Sequence, residues 1–305
     1  MLETPSYRSG FAGLIGRPNA GKSTLLNTLV GRKVAIISDK PQTTRNKILG
    51  VYTDEQAQII FLDTPGIHKP RHRLGEYMVQ VAQQTLKEVD VVVYVVDAAV
   101  EPGAGEEYIL NSLKGISTPV ILVLNKIDLI SEEQLLRVQQ FFQSRFEPAG
   151  MVALSALQGT NVEQLPPLII QHLPPGPQYY PPEQITDQPA RLIIAELIRE
   201  KILLLTEEEV PHAVAVVVED MLERPGGILY VPATIYVERD SQKGILIGKG
   251  GRMLKEIGIL ARQEIEALLG NKIYLDLRVR VKKDWRRQEG ALRQLGYEVG
   301  RRRPV

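Results

Sequence analysis

Gly16-Arg-Pro-Asn-Ala-Gly-Lys-Ser-Thr24 reads G-x-x-x-x-G-K-S, and the rest of the chain is legible from it. The apolar run 11–15 before it predicts a buried strand, and 24–30 after it predicts a helix. That strand–loop–helix setting is what a phosphate-binding loop requires. Gly16 and Gly21 allow the backbone to turn so tightly that successive N–H groups face one phosphate. The helix N-terminus adds the positive end of its dipole. Lys22 is placed to reach the β- and γ-phosphates, and the Ser23 hydroxyl to ligate Mg²⁺. Asn19, Ala20 and Thr24 complete the set of loop residues expected against the nucleotide. A plain glycine turn capped by Ser23 is the bland alternative, and the flanking strand and helix argue against it.

Working outward, apolar runs at 11–15, 48–51, 59–63, 91–97, 120–125 and 151–155 alternate with helix-like stretches. Such alternation predicts an α/β domain whose sheet is mostly parallel, with helices on both faces. Ligands of such sheets bind at the carboxyl ends of the strands, and the remaining motifs fall there. Asp63-Thr-Pro-Gly66 ends the third run. Asp63 can hold Mg²⁺ through a water, and Gly66 can offer its backbone N–H to a γ-phosphate. Asn125-Lys-Ile-Asp128 ends the fifth run. Guanine presents two adjacent donors, which an acceptor-only carboxylate at Asp128 can take together, whereas adenine would leave it unpaired. Asn125 and Lys126 would fix that loop and cover the base. Ser155-Ala156 closes the last run, and its backbone N–H is placed for guanine O6. The loop Lys40-Pro-Gln-Thr-Thr-Arg45 offers two threonines, either of which can complete the Mg²⁺ shell and sense the γ-phosphate.

Composition bounds the rest. The 305 residues suggest two domains, each large enough to bury its own core. Zero cysteines exclude disulfides, zinc ribbons and thiol nucleophiles. The polar start has no signal-peptide core, and no apolar run approaches a membrane span, so a soluble cytoplasmic protein is expected. The net charge of +1 hides an asymmetry. From Arg239 onward there are 17 Lys and Arg against 8 Asp and Glu, a surplus of nine that suggests a surface for a polyanion.

Leu173-Pro-Pro-Gly-Pro-Gln-Tyr-Tyr-Pro-Pro182 is too proline-rich for a helix or central strand and predicts a semi-rigid linker. It separates domains expected at 1–172 and 191–305, the linker occupying 173–190. In the second domain, 191–205 reads as an amphipathic helix with Leu192, Ala195, Ile198 and Ile202 on its apolar face. Strands are expected at 213–219 and 229–239, a long helix at 252–269, and a strand at 272–282 in which apolar residues alternate strictly. A short helix from about residue 284 follows. Between the second strand and the long helix lies Gly248-Lys-Gly-Gly251, a G-x-x-G preceded by Ile247 and followed by Arg252 and Lys255. Glycines there admit a sugar-phosphate backbone closely, and Lys249, Arg252 and Lys255 surround it with positive charge. Trp285 reads as a packing anchor. The four histidines show no metal spacing, and none is nominated for catalysis.

These residues resemble the Ras-like GTPases, in particular the Era family, whose members carry a type II KH domain, an α+β fold, after the GTPase domain. Residues 179–189, Ile198-Arg-Glu-Lys201, Val210-Pro-His-Ala-Val214 and Lys282-Lys-Asp-Trp-Arg286 are similar to the stretches that mark that family. Where the family usually has Asp-Arg-Pro, this chain has Asp187-Gln188-Pro189. The resemblance implies a GTP-hydrolysing switch with Mg²⁺ and GTP or GDP as ligands. Lys22, Thr44 and Gly66 would act in catalysis, and Thr44, with Thr43 as the alternative, would ligate Mg²⁺ from the switch loop. It further implies binding of 16S rRNA near its 3′ end, action in assembly of the small ribosomal subunit, a monomer, and weak peripheral contact with the inner membrane. One departure stands out. Ile67 follows Gly66 where Ras carries the glutamine that orients water, and Ile67 cannot hydrogen-bond a water. In related GTPases without that glutamine, an Asn at the position of Asn19 helps bind K⁺. An adaptor that binds nucleotide without turnover is the competing expectation; an ATPase conflicts with Asp128.

Overall fold

The structure is a computed structural model that describes residues 7–70 and 72–298. In the first half, the strands are β1 (Arg8–Ile15), β2 (Ile48–Thr53), β3 (Ala57–Asp63), β4 (Val91–Asp97), β5 (Val120–Asn125) and β6 (Gly150–Leu154). The helices are α1 (Lys22–Val30), α2 (Arg73–Thr85), α3 (Ala104–Leu113), α4 (Glu132–Gln143) and α5 (Leu165–Ile170). The strands form one six-stranded sheet in the order β2-β3-β1-β4-β5-β6. Only the β2–β3 pair is antiparallel.

β4 explains the arrangement. Its sequence, VVVYVVD, is apolar on both sides because both faces of the sheet are covered. Val91, Val93 and Val95 enter one core with Leu14, Phe61 and Ile121. Val92, Tyr94 and Val96 enter the other with Ile60, Leu122 and Phe142. Each such buried side chain contributes about 1.5–3 kcal/mol, so the sheet's carboxyl edge is a firm platform for loops.

The proline-rich segment is not a free tether. Gln58, itself fully buried, accepts from the N–H groups of Tyr179 and Tyr180 and donates to Tyr180 O. The Ile185 carbonyl accepts from Val51 N–H, and Ser9 N–H donates to Pro174 O. By compactness, the chain therefore stays with the first unit through Asp187, and the second comprises mainly the residues from Gln188 onward.

The second half contains α6 (Ala190–Leu205), α7 (Val210–Ala213), β7 (Ala215–Val218), β8 (Leu222–Arg224), β9 (Ile228–Val237), α8 (Asp240–Ile247), α9 (Arg252–Leu269), β10 (Ile273–Val281) and α10 (Glu289–Gln294). β9 is central, with β10 parallel on one side and β7 antiparallel on the other. Three elements lie outside what the residue pattern alone predicted: α7, the short β8, and α8, the last being one of the two helices before the final strand in the α-β-β-α-α-β order that the resemblance implies. For α8, the run Gly244-Ile-Leu-Ile, to which the residue pattern assigns no element, is helical. Gln242 caps it by accepting, through Oε1, from Glu238 N–H (3.0 Å) and Arg239 N–H (3.1 Å). The expected one-sided amphipathicity of α6 is also incomplete: Arg199 and Glu200 are buried along with Ile194, Ile198 and Ile202. Glu196, one turn earlier, accepts from Arg199 and balances its charge.

Candidate functional site

The loop between β1 and α1 is held by residues far away in sequence. Asn125, buried at the end of β5, donates Nδ2–H to Ala20 O (2.8 Å) and accepts through Oδ1 from Ala156 N–H (2.9 Å). The Thr28 hydroxyl lies within hydrogen-bond reach of both Ala156 O (2.8 Å) and Thr24 O (3.0 Å), to one of which it donates. Gly21 has φ +95°, and a Cβ there would lie 2.1 Å from Asn125 Nδ2. Thus Ala20, Gly21, Thr24, Asn125, Ser155 and Ala156, expected at one site, do converge at the carboxyl edge. The Ser155 N–H donates to Thr160 O and the Ala156 N–H to Asn125, so a guanine O6 would have to share the latter.

Lys22 is buried, and its Nζ donates to Gly16 O (3.2 Å) and Arg17 O (2.9 Å). Burial pushes its pKa down to about 8, against the opposing pull of Asp63 and Glu106. Ser23 Oγ donates to Asp63 Oδ2 (2.6 Å) and lies 2.9 Å from Thr44 Oγ1, which is 3.4 Å from the same carboxylate oxygen. Among the described residues, the second oxygen of Asp63 is buried without a hydrogen-bond partner. Burial raises the Asp63 pKa to about 6, although Lys22 and the Ser23 and Thr44 hydroxyls oppose the rise. Two hydroxyls and a carboxylate short of positive charge are hard oxygen donors of the kind Mg²⁺ takes, so these residues fit that ion.

Gly66 is pressed against the loop: a Cβ on it would sit 2.4 Å from Pro18 N. Ile67 N–H donates to Gly16 O (3.0 Å), and the Ile67 side chain is turned into the core beside Ile15 and Leu62. Asn19 is exposed, at φ +63°. Asp128 stands exposed in the turn after β5, and Lys126, at φ +69°, pairs with Asp97 Oδ2 (2.5 Å).

Sequence reasoning missed four residues. Asp97 orients Lys126; its signal was its place at the end of β4, directly beside Asn125 in register. Glu106 accepts from Arg17 (3.4 Å) and from Tyr94, tying the phosphate loop to α3; burial raises its pKa while those two bonds oppose the rise. His68 and Gln42 meet at 3.0 Å, and His68 Nδ1 lies 2.8 Å from Gly66 O. No sequence signal pairs these last two.

The second glycine loop is shorter in reach. Gly248, Gly250 and Gly251 all have positive φ, between +62° and +78°. Gly248 N–H donates to Gly244 O and Gly251 N–H to Gly248 O. Lys249, Gly250, Arg252 and Lys255 are exposed, and Ile247 is half-buried. The expected packing role of Trp285 holds: it is fully buried, donates Nε1–H to Ala213 O (2.9 Å) and stacks on Tyr297. Among the described residues no helix is long and apolar enough to cross a membrane.

Residues 11–126 match the family described as 50S ribosome-binding GTPase, and 209–286 match the KH domain family. The chain is 57% identical to GTPase Era of Heliobacterium modesticaldum over 95% of its length and 97% of that protein's. It is 56% identical to GTPase Era of Alkaliphilus oremlandii over 96% of its own length and 100% of that protein's. A crystal structure of Era in complex with MgGDPNP and nucleotides 1506–1542 of 16S ribosomal RNA superposes with a TM-score of 0.93 at 43% identity, covering 96% of this chain and 100% of that one. A single-substitution variant of Aquifex aeolicus Era bound to GDP.AlF4- gives 0.92 at 43% identity, again covering 96% and 100%. A Ras-like GTPase half with a phosphate loop and N-K-x-D turn, followed by a KH half with its G-x-x-G, is thus matched along nearly the whole length by named relatives: the chain belongs to the Era family of GTPases.

Proposed function

We propose that this protein hydrolyses GTP as a switch, binds 16S rRNA near its 3′ end through the KH half, and acts in assembly of the small ribosomal subunit. The observation that carries this reading is the convergence of 16–24, Thr44, Asp63–Gly66 and Asn125–Asp128 on one sheet edge, in a chain that also bears the exposed Lys249-Gly-Gly251 turn.

Asp128 takes the two adjacent donors of guanine, while the Lys126 stem, held by Asp97, covers the ring. Lys22 leaves the loop carbonyls for the β- and γ-phosphates, and Gly66 N–H meets the γ-phosphate. Ser23, Thr44 and Asp63, the last through a water, hold Mg²⁺, which neutralises charge on the β- and γ-oxygens. Thr44, rather than Thr43, is assigned this role because its hydroxyl joins Ser23 and Asp63. Asn19 would help hold K⁺, which would supply further positive charge. Ile247, Gly248, Lys249, Gly250, Gly251, Arg252 and Lys255 receive the RNA, the glycines by close approach and the cations by phosphate contact. We place the protein in the cytoplasm, as a monomer working on the small subunit, with peripheral contact to the inner membrane.

The test is turnover of GTP and ATP with Mg²⁺, together with binding of a 16S 3′ fragment and a length-matched unrelated RNA. GTP-selective turnover and preference for the 16S fragment are expected. Equal use of ATP, or equal binding of both RNAs, would overturn the assignment.

A further inference from the structure

We propose that His68 is a positioning residue for hydrolysis: with Gln42 it clasps the loop after β3 to the loop before β2. The inference rests on the GTPase reading above and addresses what Ile67 leaves open. Ile67 is a core residue, so the side chain at that place cannot face the phosphates. The next residue can. A carbonyl only accepts, so the 2.8 Å contact between His68 Nδ1 and Gly66 O puts the proton on Nδ1. Nε2 is then the acceptor, and the Gln42 side-chain amide, 3.0 Å away, donates to it.

Both ring nitrogens are thereby engaged, which argues against the imidazole as the base that takes a proton from water. What the arrangement fixes is the segment around Gly66 and Ile67. The Ile67 N–H is bound by Gly16 O and the Gly66 C=O by His68, so the peptide plane they share is held from both sides. At the other end, Gln42 at φ +63° lies two residues before Thr44, whose hydroxyl joins Ser23 and Asp63. One polar chain therefore runs from Thr44's loop through Gln42 and His68 to Gly66 and Gly16. Each flank of the γ-phosphate position is set by the other, and this is the positioning that catalysis without a glutamine demands.

The experiment compares wild type, His68→Ala, His68→Asn, Gln42→Ala and the double alanine variant of the full-length chain. Three readouts are taken: GTP kinetics, GDP affinity, and hydrogen exchange of 40–46 and 64–70 with a non-hydrolysable GTP analogue. His68→Ala should lower kcat about tenfold while KM and GDP affinity stay within about twofold. Asn, whose amide nitrogen overlays Nδ1, should recover part of kcat. Gln42→Ala should cost less, and the double variant no more than His68→Ala alone, because both break one chain. Exchange in both segments should rise in each alanine variant. Wild-type kcat in His68→Ala, multiplying losses in the double variant, equal loss of GDP affinity, or unchanged exchange would each overturn the clasp. The GTPase reading fails separately, by absence of turnover in the wild type, and the exchange readout decides the clasp even then.

Discussion

The two glycine loops look alike in sequence and are built in opposite ways. Loop 16–24 is fixed from a distance: Asn125 grips Ala20 across 105 positions, and Gly66 is packed against Pro18. Loop 248–251 is fixed by itself, with bonds that reach back no more than one turn. The first is a cage whose shape is decided by the core before any ligand arrives. The second is a local turn that presents Lys249, Arg252 and Lys255 to solvent. Preorganised donors in a buried site recognise one ligand geometry; exposed charges on a short turn give affinity that salt tunes. Substitutions should therefore act steeply and specifically at the first loop, and gradually at the second.

The largest effect is expected at the base. Asp128→Asn adds donors where guanine already donates, so GTP affinity should fall by about 10⁴-fold, the scale of polar-site discrimination, and xanthosine triphosphate should become the preferred ligand. Calorimetry with both nucleotides measures this, and unchanged GTP binding would remove the guanine assignment. The same substitution at both loops tests the contrast itself. In Gly21→Ala the new methyl meets Asn125 at 2.1 Å and must displace the bond to Ala20; nucleotide affinity should fall on the order of 100-fold. Gly250→Ala meets nothing within 4 Å at φ +62°, so only backbone strain is added; RNA affinity should fall by less than about tenfold. Equal losses would erase the distinction between cage and turn.

Charge should be the lever at the exposed loop. Replacing Lys249 and Gly250 together with aspartates should lower RNA affinity about 10–100-fold at moderate salt, less as salt rises, with GTP affinity untouched. A salt-independent loss would indicate a collapsed turn instead. A smaller effect is expected of the monovalent ion. If Asn19 helps hold K⁺, hydrolysis should run several-fold faster in KCl than in NaCl at equal ionic strength, and Asn19→Ala should abolish the difference. Equal wild-type rates would take potassium out of the mechanism.

The same contrast explains what the sequence disclosed. The strands of the first half were legible because a sheet covered on both faces writes itself as apolar runs, and the motifs were legible because they sit where those runs end. In the second half, α8 was hidden by Gly244 and by the β-branched Ile245 and Ile247, and only the Gln242 cap marks its start. Asn125's grip on Ala20, the Asp97 support of Lys126 and the Gln42–His68 contact were illegible for a different reason. They are pairings across 105, 29 and 26 positions that exist only once the sheet has set the loops side by side. What holds the proline tract was illegible too, because composition indicates a stiff segment but not that Gln58 binds it.

The smallest predicted effect sets two buried or half-buried carboxylates against each other. Asp63 is pushed up by burial. Glu238, just after β9, is also raised by burial, but the hydrogen bonds and charge of Arg286 outweigh that and hold its pKa below the ordinary glutamate value. Its carboxylate accepts from Arg286 Nη2 (2.5 Å) and from the Arg286 N–H (3.3 Å). A folded-state pKa below the unfolded one means that the fold binds the proton less readily than the open chain. The pair therefore adds stability above the unfolded glutamate pKa, and that contribution is lost as pH falls through the folded value. Arg286 follows Trp285, the single tryptophan of the chain, which is buried against Tyr297. Its fluorescence thus reports the KH half alone. Urea midpoints followed by this signal should decline as pH is lowered into the acidic range below about 4.3. Glu238→Gln should lower the midpoint at neutral pH and flatten the acid decline, because the glutamine cannot titrate. The change should be modest, since the pair keeps some contact with solvent. Parallel acid slopes in wild type and variant would mean that the KH half draws its acid sensitivity from other carboxylates, and that Arg286 serves to orient the turn after β10 rather than to hold a charge.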